Sequence, residues 1–266
     1  GVTGSCAFDV VVTAVSQLDV SIQLSPTLAV SPLTRCITFE LFQCGFAQET
    51  VKQEITFVDG VAIGVPVLVP AGFYECITAR DELHSLRSTA TDFSDDGTTF
   101  SATFVGDRDA GGHWLTGGNL NDNDFIDIVD FGIFHSLIGT TIAVTDCATP
   151  PFHADINGDG LVNSFDFTFI SQNFFDTAEA NCCAVPPNPI VDPNEDRVPR
   201  RSITLRELTA RGLGHLRVAD LNNDGVLDER DMNIAARQYK AGTTPEPAPR
   251  PAPHAPRRQT TGPRAP

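Results

Sequence analysis

The stretch DINGDGLVNSFD at residues 155–166 decides how the second half of this chain is interpreted. Asp155, Asn157 and Asp159 stand two residues apart, and each offers a side-chain oxygen. Gly160 follows, and glycine readily adopts the positive φ that a sharp turn needs. A Ca²⁺-binding loop of about twelve residues supplies oxygen from positions 1, 3, 5, 7, 9 and 12, with glycine at position 6. The spacing therefore predicts a calcium loop.

Related stretches occur at residues 119–130 (NLNDNDFIDIVD) and 220–231 (DLNNDGVLDERD). We number the three loops in chain order, and position 7 contributes its backbone carbonyl. The predicted ligands are Asn119, Asn121, Asn123, Phe125, Asp127 and Asp130 in the first loop; Asp155, Asn157, Asp159, Leu161, Asn163 and Asp166 in the second; and Asp220, Asn222, Asp224, Val226, Asp228 and Asp231 in the third.

The first loop departs most from the pattern, because Asp124 takes the place of glycine at position 6. It carries two carboxylates at ligand positions, against three in the second loop and four in the third. Since affinity follows ligand charge, we expect the third loop to bind calcium most tightly and the first least. A solvated, Asx-rich turn is the alternative for the first loop, so two or three ions are expected. The all-oxygen ligand set argues against zinc.

The segments GGNLNDNDFIDIVDFGIF and ADINGDGLVNSFDFTFI resemble the paired half EF-hands of type I dockerin modules, each a calcium loop with an exiting helix. The resemblance covers about residues 118–175, with a third related copy at 220–240. It implies a calcium scaffold and, in the family, a cohesin-binding surface carried by loop positions 10 and 11. The chain departs from the family there, where it has Ile128-Val129, Ser164-Phe165 and Glu229-Arg230.

Apolar residues at helical spacing follow each loop and predict a helix packed on a core. The predicted core faces are Ile128, Phe131, Phe134, Leu137 and Ile138; then Phe165, Phe169, Ile170 and Phe174; then Met232, Ala235, Ala236 and Tyr239.

The N-terminal part contains short β-branched or aromatic runs with alternating polarity, which are typical of an antiparallel sandwich. The predicted fold is multidomain, β plus α. It has an immunoglobulin-like β-sandwich at 1–108, a dockerin-like pair of loop-helix repeats at 109–184, and a Pro-rich linker at 185–200. A third repeat follows at 201–241, and an extended polyproline-type tail at 242–266. A sandwich followed by such repeats is similar to secreted modular proteins of bacteria.

Seven cysteines favour an oxidising compartment and predict disulfides, with one thiol left over. We expect Cys147 to pair with Cys182 or Cys183 across the second repeat. Cys6, Cys36, Cys44 and Cys76 could form two bridges within the sandwich, by three possible connectivities.

The net charge of −16 argues against a nucleic-acid partner. No apolar run is long enough to span a membrane. The first residues, GVTGSC, are interpreted as a mature end after removal of a secretory signal. We find no catalytic motif and expect no enzyme. The group Asp81, Glu82 and His84 is interpreted as a charged surface turn, with acid–base chemistry as the alternative. His113 and Trp114 are interpreted as a packed domain junction, with a sugar-stacking site as the alternative.

The tail from residue 242 holds eight prolines and favours polyproline II. Its net charge is about +3 (four Arg and one Glu) against about −19 for the rest. We expect it to dock on another copy of the chain, and Thr243, Thr244, Thr260 and Thr261 are candidates for O-glycosylation. The sequence thus predicts a secreted, calcium-stabilised structural protein that assembles head-to-tail into a filament or layer. The alternatives are a dockerin-like anchoring module for a cohesin-like receptor and a carbohydrate-binding sandwich on a calcium-stabilised stalk.

Overall fold

The computed structural model describes residues 14–25, 30–44, 48–90, 94–95, 99–141, 147, 152–179 and 198–240. The strands are β1 (Val15–Gln23), β2 (Leu33–Phe42), β3 (Gln48–Phe57), β4 (Val61–Pro70), β5 (Cys76–Arg80), β6 (Ser88–Thr89), β7 (Ser94–Asp95), β8 (Thr99–Phe104), β9 (Ser202–Thr204) and β10 (Val226–Asp228). The α-helices are α1 (Ile128–Leu137), α2 (Ser164–Gln172), α3 (Leu205–Ala210) and α4 (Glu229–Lys240), and short 3-10 helices cover Arg108–Ala110 and Gly214–Ala219.

The N-terminal half consists of two four-stranded sheets, with strand orders β4-β1-β8-β7 and β3-β2-β5-β6. Along β1, Leu18, Val20 and Ile22 are fully buried while their neighbours are partly or fully exposed, as the alternating sequence predicts. One pairing among the described strands differs from the antiparallel expectation: β1 runs parallel to β8, with Val20 opposite Ala102. Parallel neighbours need a long connection, and the six strands between β1 and β8 provide it.

Helix α1 is buried on every side and lies at the centre of the second half. Its Phe131 and Phe134 rings contact Phe167 of α2 at centroid distances of 5.9 and 5.8 Å, so the first two repeats pack on each other. On another side α1 contacts the Gly214–Ala219 helix and β10. A Cβ on Gly132 would lie 3.0 Å from Leu227, so glycine permits this close approach.

The residues around the third loop share the core of the first two repeats. Leu208, Leu216, Leu227 and Ala235 belong to the same buried cluster as α1 and α2. Ahead of the third loop, α3 and the Gly214–Ala219 helix form an entering helical segment, and β9 pairs antiparallel with β10. The third copy therefore has an entering segment that dockerin-type halves lack.

The core prediction is wrong for one residue of α2. Phe165 is 65% exposed, whereas Phe167 is buried and was missed. The reason is helical phase: Asp166, at loop position 12, points inward with Phe169 and Ile170, and successive helical residues lie about 100° apart. The other predicted core residues are buried or packed against the buried cluster.

The sandwich and the second loop are joined directly. Cys36 of β2 forms a disulfide with Cys147, with a Cα–Cα distance of 5.1 Å. The expected bridge from Cys147 to Cys182 or Cys183 is therefore wrong, and so is the expectation that Cys36 pairs within the sandwich. Cys44 and Cys76 are also disulfide-bonded. Cys6, Cys182 and Cys183 lie outside the described residues. The Cys36–Cys147 bridge spans 111 residues and ties the sandwich to the chain just before the second loop.

No helix in the described part of the chain is long and apolar enough to cross a membrane.

Candidate calcium centre

The three loops share a backbone conformation at the positions where the chain turns. Position 6 has a positive φ in each, at Asp124 (67°), Gly160 (85°) and Gly225 (86°). Position 4 does too, with Asp122 (55°), Gly158 (74°) and Asn223 (58°). Asp and Asn tolerate this left-handed conformation at some cost. The first loop therefore adopts the same turn as the other two without a glycine at position 6.

The position-12 aspartates make the same hydrogen bonds in all three loops. One carboxylate oxygen accepts from the amide of position 2, at 2.7 Å for Leu120–Asp130, 2.7 Å for Ile156–Asp166 and 2.8 Å for Leu221–Asp231. The other oxygen accepts from the amide of position 9, at 2.8–2.9 Å. Each buried carboxylate thus joins the start of its loop to the start of the following helix.

Side chains at positions 3, 5 and 9 repeat another pattern, in which each accepts from the amide two residues ahead. Position 7 is bridged antiparallel to a threonine in every loop: Phe125 to Thr177, Leu161 to Thr141 and Val226 to Thr204. The side-chain oxygens at odd positions are therefore held at regular spacing along each loop.

One buried oxygen of the first loop lacks a hydrogen-bond donor. Asn119, at position 1 of the first loop, is 1% exposed, and its Oδ1 has no hydrogen-bond partner. A buried oxygen without a donor costs free energy, which a cation would remove. Among the described residues no three His, Cys, Asp or Glu side chains converge as a metal cage. The ligand set here mixes carboxylates with amide and carbonyl oxygens, which suits calcium.

Burial raises the pKa of the position-12 carboxyls. The pKa of Asp166 is raised to about 6, chiefly by desolvation. Desolvation also raises the pKa of Asp231, and it raises that of Asp130 well above the usual range, with the neighbouring Asp127 charge adding to the effect. Calcium needs these groups ionised, so proton release should accompany binding.

Arginines of the sandwich hold the first two loops in place, and the sequence analysis missed them. Arg80 lies 2.8 Å from Asp122 and Arg87 3.2 Å from Asp124, the two left-handed aspartates of the first loop. Arg35 donates to the carbonyls of Asp155 (2.8 Å) and Ile156 (3.2 Å) in the second loop. These contacts explain why the first loop carries aspartate at positions 4 and 6.

The second loop also requires a glycine where it approaches the sandwich. A Cβ on Gly158, at position 4, would collide with Leu33 of β2.

The interpretation of residues 81–84 as a surface turn is wrong, because Asp81 and His84 are 4% and 3% exposed. They form a junction network: Asp81 Oδ2 lies 2.9 Å from His84 Nδ1, and His84 Nε2 lies 3.2 Å from His153 Nδ1. Burial raises the pKa of Asp81, but His84 and Arg35 outweigh it and the net pKa is lowered. The cavity beside this network is about 10 Å³, room for roughly one water molecule, which supports a structural role.

Burial lowers the pKa of both histidines of this network, that of His153 to about 3. At the nearby predicted junction, His113 Nδ1 contacts Glu179 at 2.8 Å and Trp114 is partly buried.

No known family model, curated protein or solved structure matches this chain.

We predict that the charge at loop position 5 sets calcium affinity. Asp159→Asn and Asp224→Asn should each weaken binding at the altered loop about tenfold. Asn123→Asp should strengthen the first loop by a similar factor. Asparagine at position 5 is compatible with the loop hydrogen bonds, because the Asn123 side chain accepts a hydrogen bond from the Phe125 amide in the first loop. Isothermal calorimetry would measure the individual steps.

Asp59→Asn is the matched control, since Asp59 is exposed, lies outside the loops and has a φ of 51° that asparagine tolerates. If the calcium affinity were unchanged in all three loop variants, the assignment of these loops as calcium sites would be contradicted.

We also predict a pH dependence in calcium-stripped protein. Because the Asp166 pKa is raised on folding, the folded chain keeps this proton to higher pH than the unfolded chain does. The carboxyl therefore favours folding below about pH 4, and its contribution is lost as the pH rises through about 6.

Relative to Asp166→Asn, which does not titrate, the wild type should lose about 2 kcal/mol of unfolding free energy between pH 4 and 7. Urea unfolding of both proteins would measure this difference, and a difference that stays constant with pH would oppose the prediction.

Proposed function

We propose that this chain is a secreted, calcium-stabilised structural protein whose copies assemble head-to-tail into an extracellular filament or layer. The observation that carries the proposal is the docking of the first two calcium-type loops on the sandwich through Arg80, Arg87 and Arg35. Ordering these loops would fix both halves of the chain relative to each other. A stiff subunit of this kind suits a load-bearing assembly.

The loop residues account for the need for a cation. Each loop gathers two to four carboxylates at ligand positions in a chain of net charge −16, and their repulsion opposes the compact state. Bound calcium supplies positive charge at the loop centre and neutralises them. The position-1, -3, -5, -9 and -12 side chains and the position-7 carbonyl would hold it. Metal binding would then contribute directly to folding free energy.

The anchoring alternative is less well supported by the geometry. At positions 10 and 11 of the first loop, Ile128 and Val129 are 0% and 6% exposed and pack in the core. A receptor-gripping pair at these positions must be accessible, so the first loop lacks that surface. The second loop exposes Phe165 at position 11, which is one apolar residue in place of a polar pair.

The carbohydrate-binding alternative also lacks a platform. In the described part of the sandwich, Phe73 is the one strongly exposed aromatic side chain. Sugar rings stack on adjacent exposed aromatic faces, and Tyr74 beside it is 5% exposed and packs on Phe100.

The tail and its candidate glycosylation sites, Thr243, Thr244, Thr260 and Thr261, lie outside the described residues. Their roles in assembly rest on sequence: alternating prolines, a net positive charge and threonines beside prolines.

Light scattering of the purified full chain tests the proposal. Large polymers should form in calcium and dissolve when a chelator is added, because unloaded loops no longer fix the subunit. Magnesium in place of calcium is the control and should not restore the polymers, since it prefers a smaller octahedral shell. A monomer in all three conditions would oppose the assembly and favour a module that binds a separate partner.

A further inference from the structure

An apolar groove of about 530 Å³ lies between α2 and α4. Its lining includes the apolar side chains of Phe165, Phe167, Phe174, Met232 and Tyr239, together with serines, a threonine, amides and the charged Glu229 and Lys240. This volume falls in the range of about 300–1,000 Å³ that is typical of ligand pockets. The exposure of Phe165, which the core prediction did not anticipate, places an aromatic ring at this groove.

The aromatic walls are held in fixed positions. Tyr239 packs edge-on against Phe167 and Phe134, at centroid distances of 5.3 and 6.2 Å. The Tyr239 hydroxyl lies 3.1 Å from His135 Nδ1. Rings whose rotamers are already fixed lose little entropy when a ligand binds. Aromatic-lined grooves in other proteins bind polyproline II segments.

We propose that this groove binds the Pro-rich segment at residues 245–256 of a second copy of the chain. The proposal rests on the proposed head-to-tail assembly and names its acceptor site. In the segment PEPAPRPAPHAP every second residue from Pro245 to Pro253 is proline, which favours an extended polyproline II rod. Such a rod is ordered before it docks, so binding costs little conformational entropy.

The Pro-rich segment is long enough to span the groove. Helix α4 has twelve residues and is about 18 Å long at 1.5 Å per residue. A polyproline II strand rises about 3.1 Å per residue, so about six residues span the groove and the twelve-residue segment exceeds it. Within residues 245–256 Glu246 and Arg250 cancel, so charge attraction to the remaining chain of about −19 comes from Arg257, Arg258 and Arg264, which follow the docked segment.

The tail begins beside the groove. Lys240, the last residue of α4, lines the groove, and four residues separate it from Pro245. Four residues suffice for a turn onto the same chain. The choice of a second copy therefore rests on the proposed head-to-tail assembly, and isotope mixing separates the two sources.

Photo-crosslinking in the full chain tests the proposal. Phe165 is replaced by p-benzoylphenylalanine. Protein labelled with light nitrogen and protein labelled with heavy nitrogen are mixed, calcium is added, and the mixture is illuminated. We expect crosslinked peptides that join the groove of one isotope to residues 245–256 of the other. The same replacement at Phe73, an exposed aromatic of similar accessibility at 60%, is the matched control and should not capture the tail.

A second variant measures the energetic contribution. Phe165→Ser removes an exposed ring, so folding is preserved, and it should raise the concentration needed for assembly about tenfold. Phe73→Ser should leave that concentration unchanged.

The outcomes separate this proposal from the proposed function. If polymers form but the tail crosslinks to other residues, or if Phe165→Ser has no effect, the groove is not the acceptor site. The proposed assembly would still stand. Crosslinks confined to one isotope would overturn the second copy as the source of the tail. A monomer without crosslinks would overturn the assembly as well.

Discussion

The second half of this structure depends on a buried carboxylate at the end of each loop. Asp130, Asp166 and Asp231 each accept one hydrogen bond from an amide near the start of their loop and another from the amide of the residue just before the following helix. One side chain thereby closes the loop and caps the helix. Burial makes its charge costly, and a raised pKa is the result in all three loops. The loops therefore set where the helices of the common core begin.

The loop spacing made the three similar turns and their position-12 aspartates predictable, because these features depend on local sequence alone. Strand alternation likewise predicted the sandwich. The Cys36–Cys147 bridge and the Arg80–Asp122 contact could not be predicted, since both join residues 42 to 111 positions apart whose proximity the fold decides. The Asp81–His84 pair was wrongly interpreted as a surface turn for a similar reason: nothing in its sequence shows that His153, just before the second loop, packs against it. Phe165 was misplaced because apolar composition does not specify helical phase at a loop–helix boundary.

Contacts between the halves join each of the first two loops to the sandwich. The first loop is attached to β5 through Arg80, and the second to β2 through Arg35 and the disulfide before it. The third loop closes on α1 through the Gly214–Ala219 helix and β10. Disorder in any loop would therefore loosen contacts between elements far apart in the sequence. The proposed assembly depends on this coupling, because it needs a subunit that keeps its shape.

Calcium content per chain is the measurement that tests the central claim most directly. The full-length protein would be dialysed against submillimolar calcium with excess magnesium, and calcium would be measured by atomic emission against protein concentration. The account predicts two or three calcium ions per chain above the buffer level, and fewer after Asp159→Asn or Asp224→Asn. A calcium content equal to that of the buffer would contradict it, because the loops would then be turns held by their own hydrogen bonds alone.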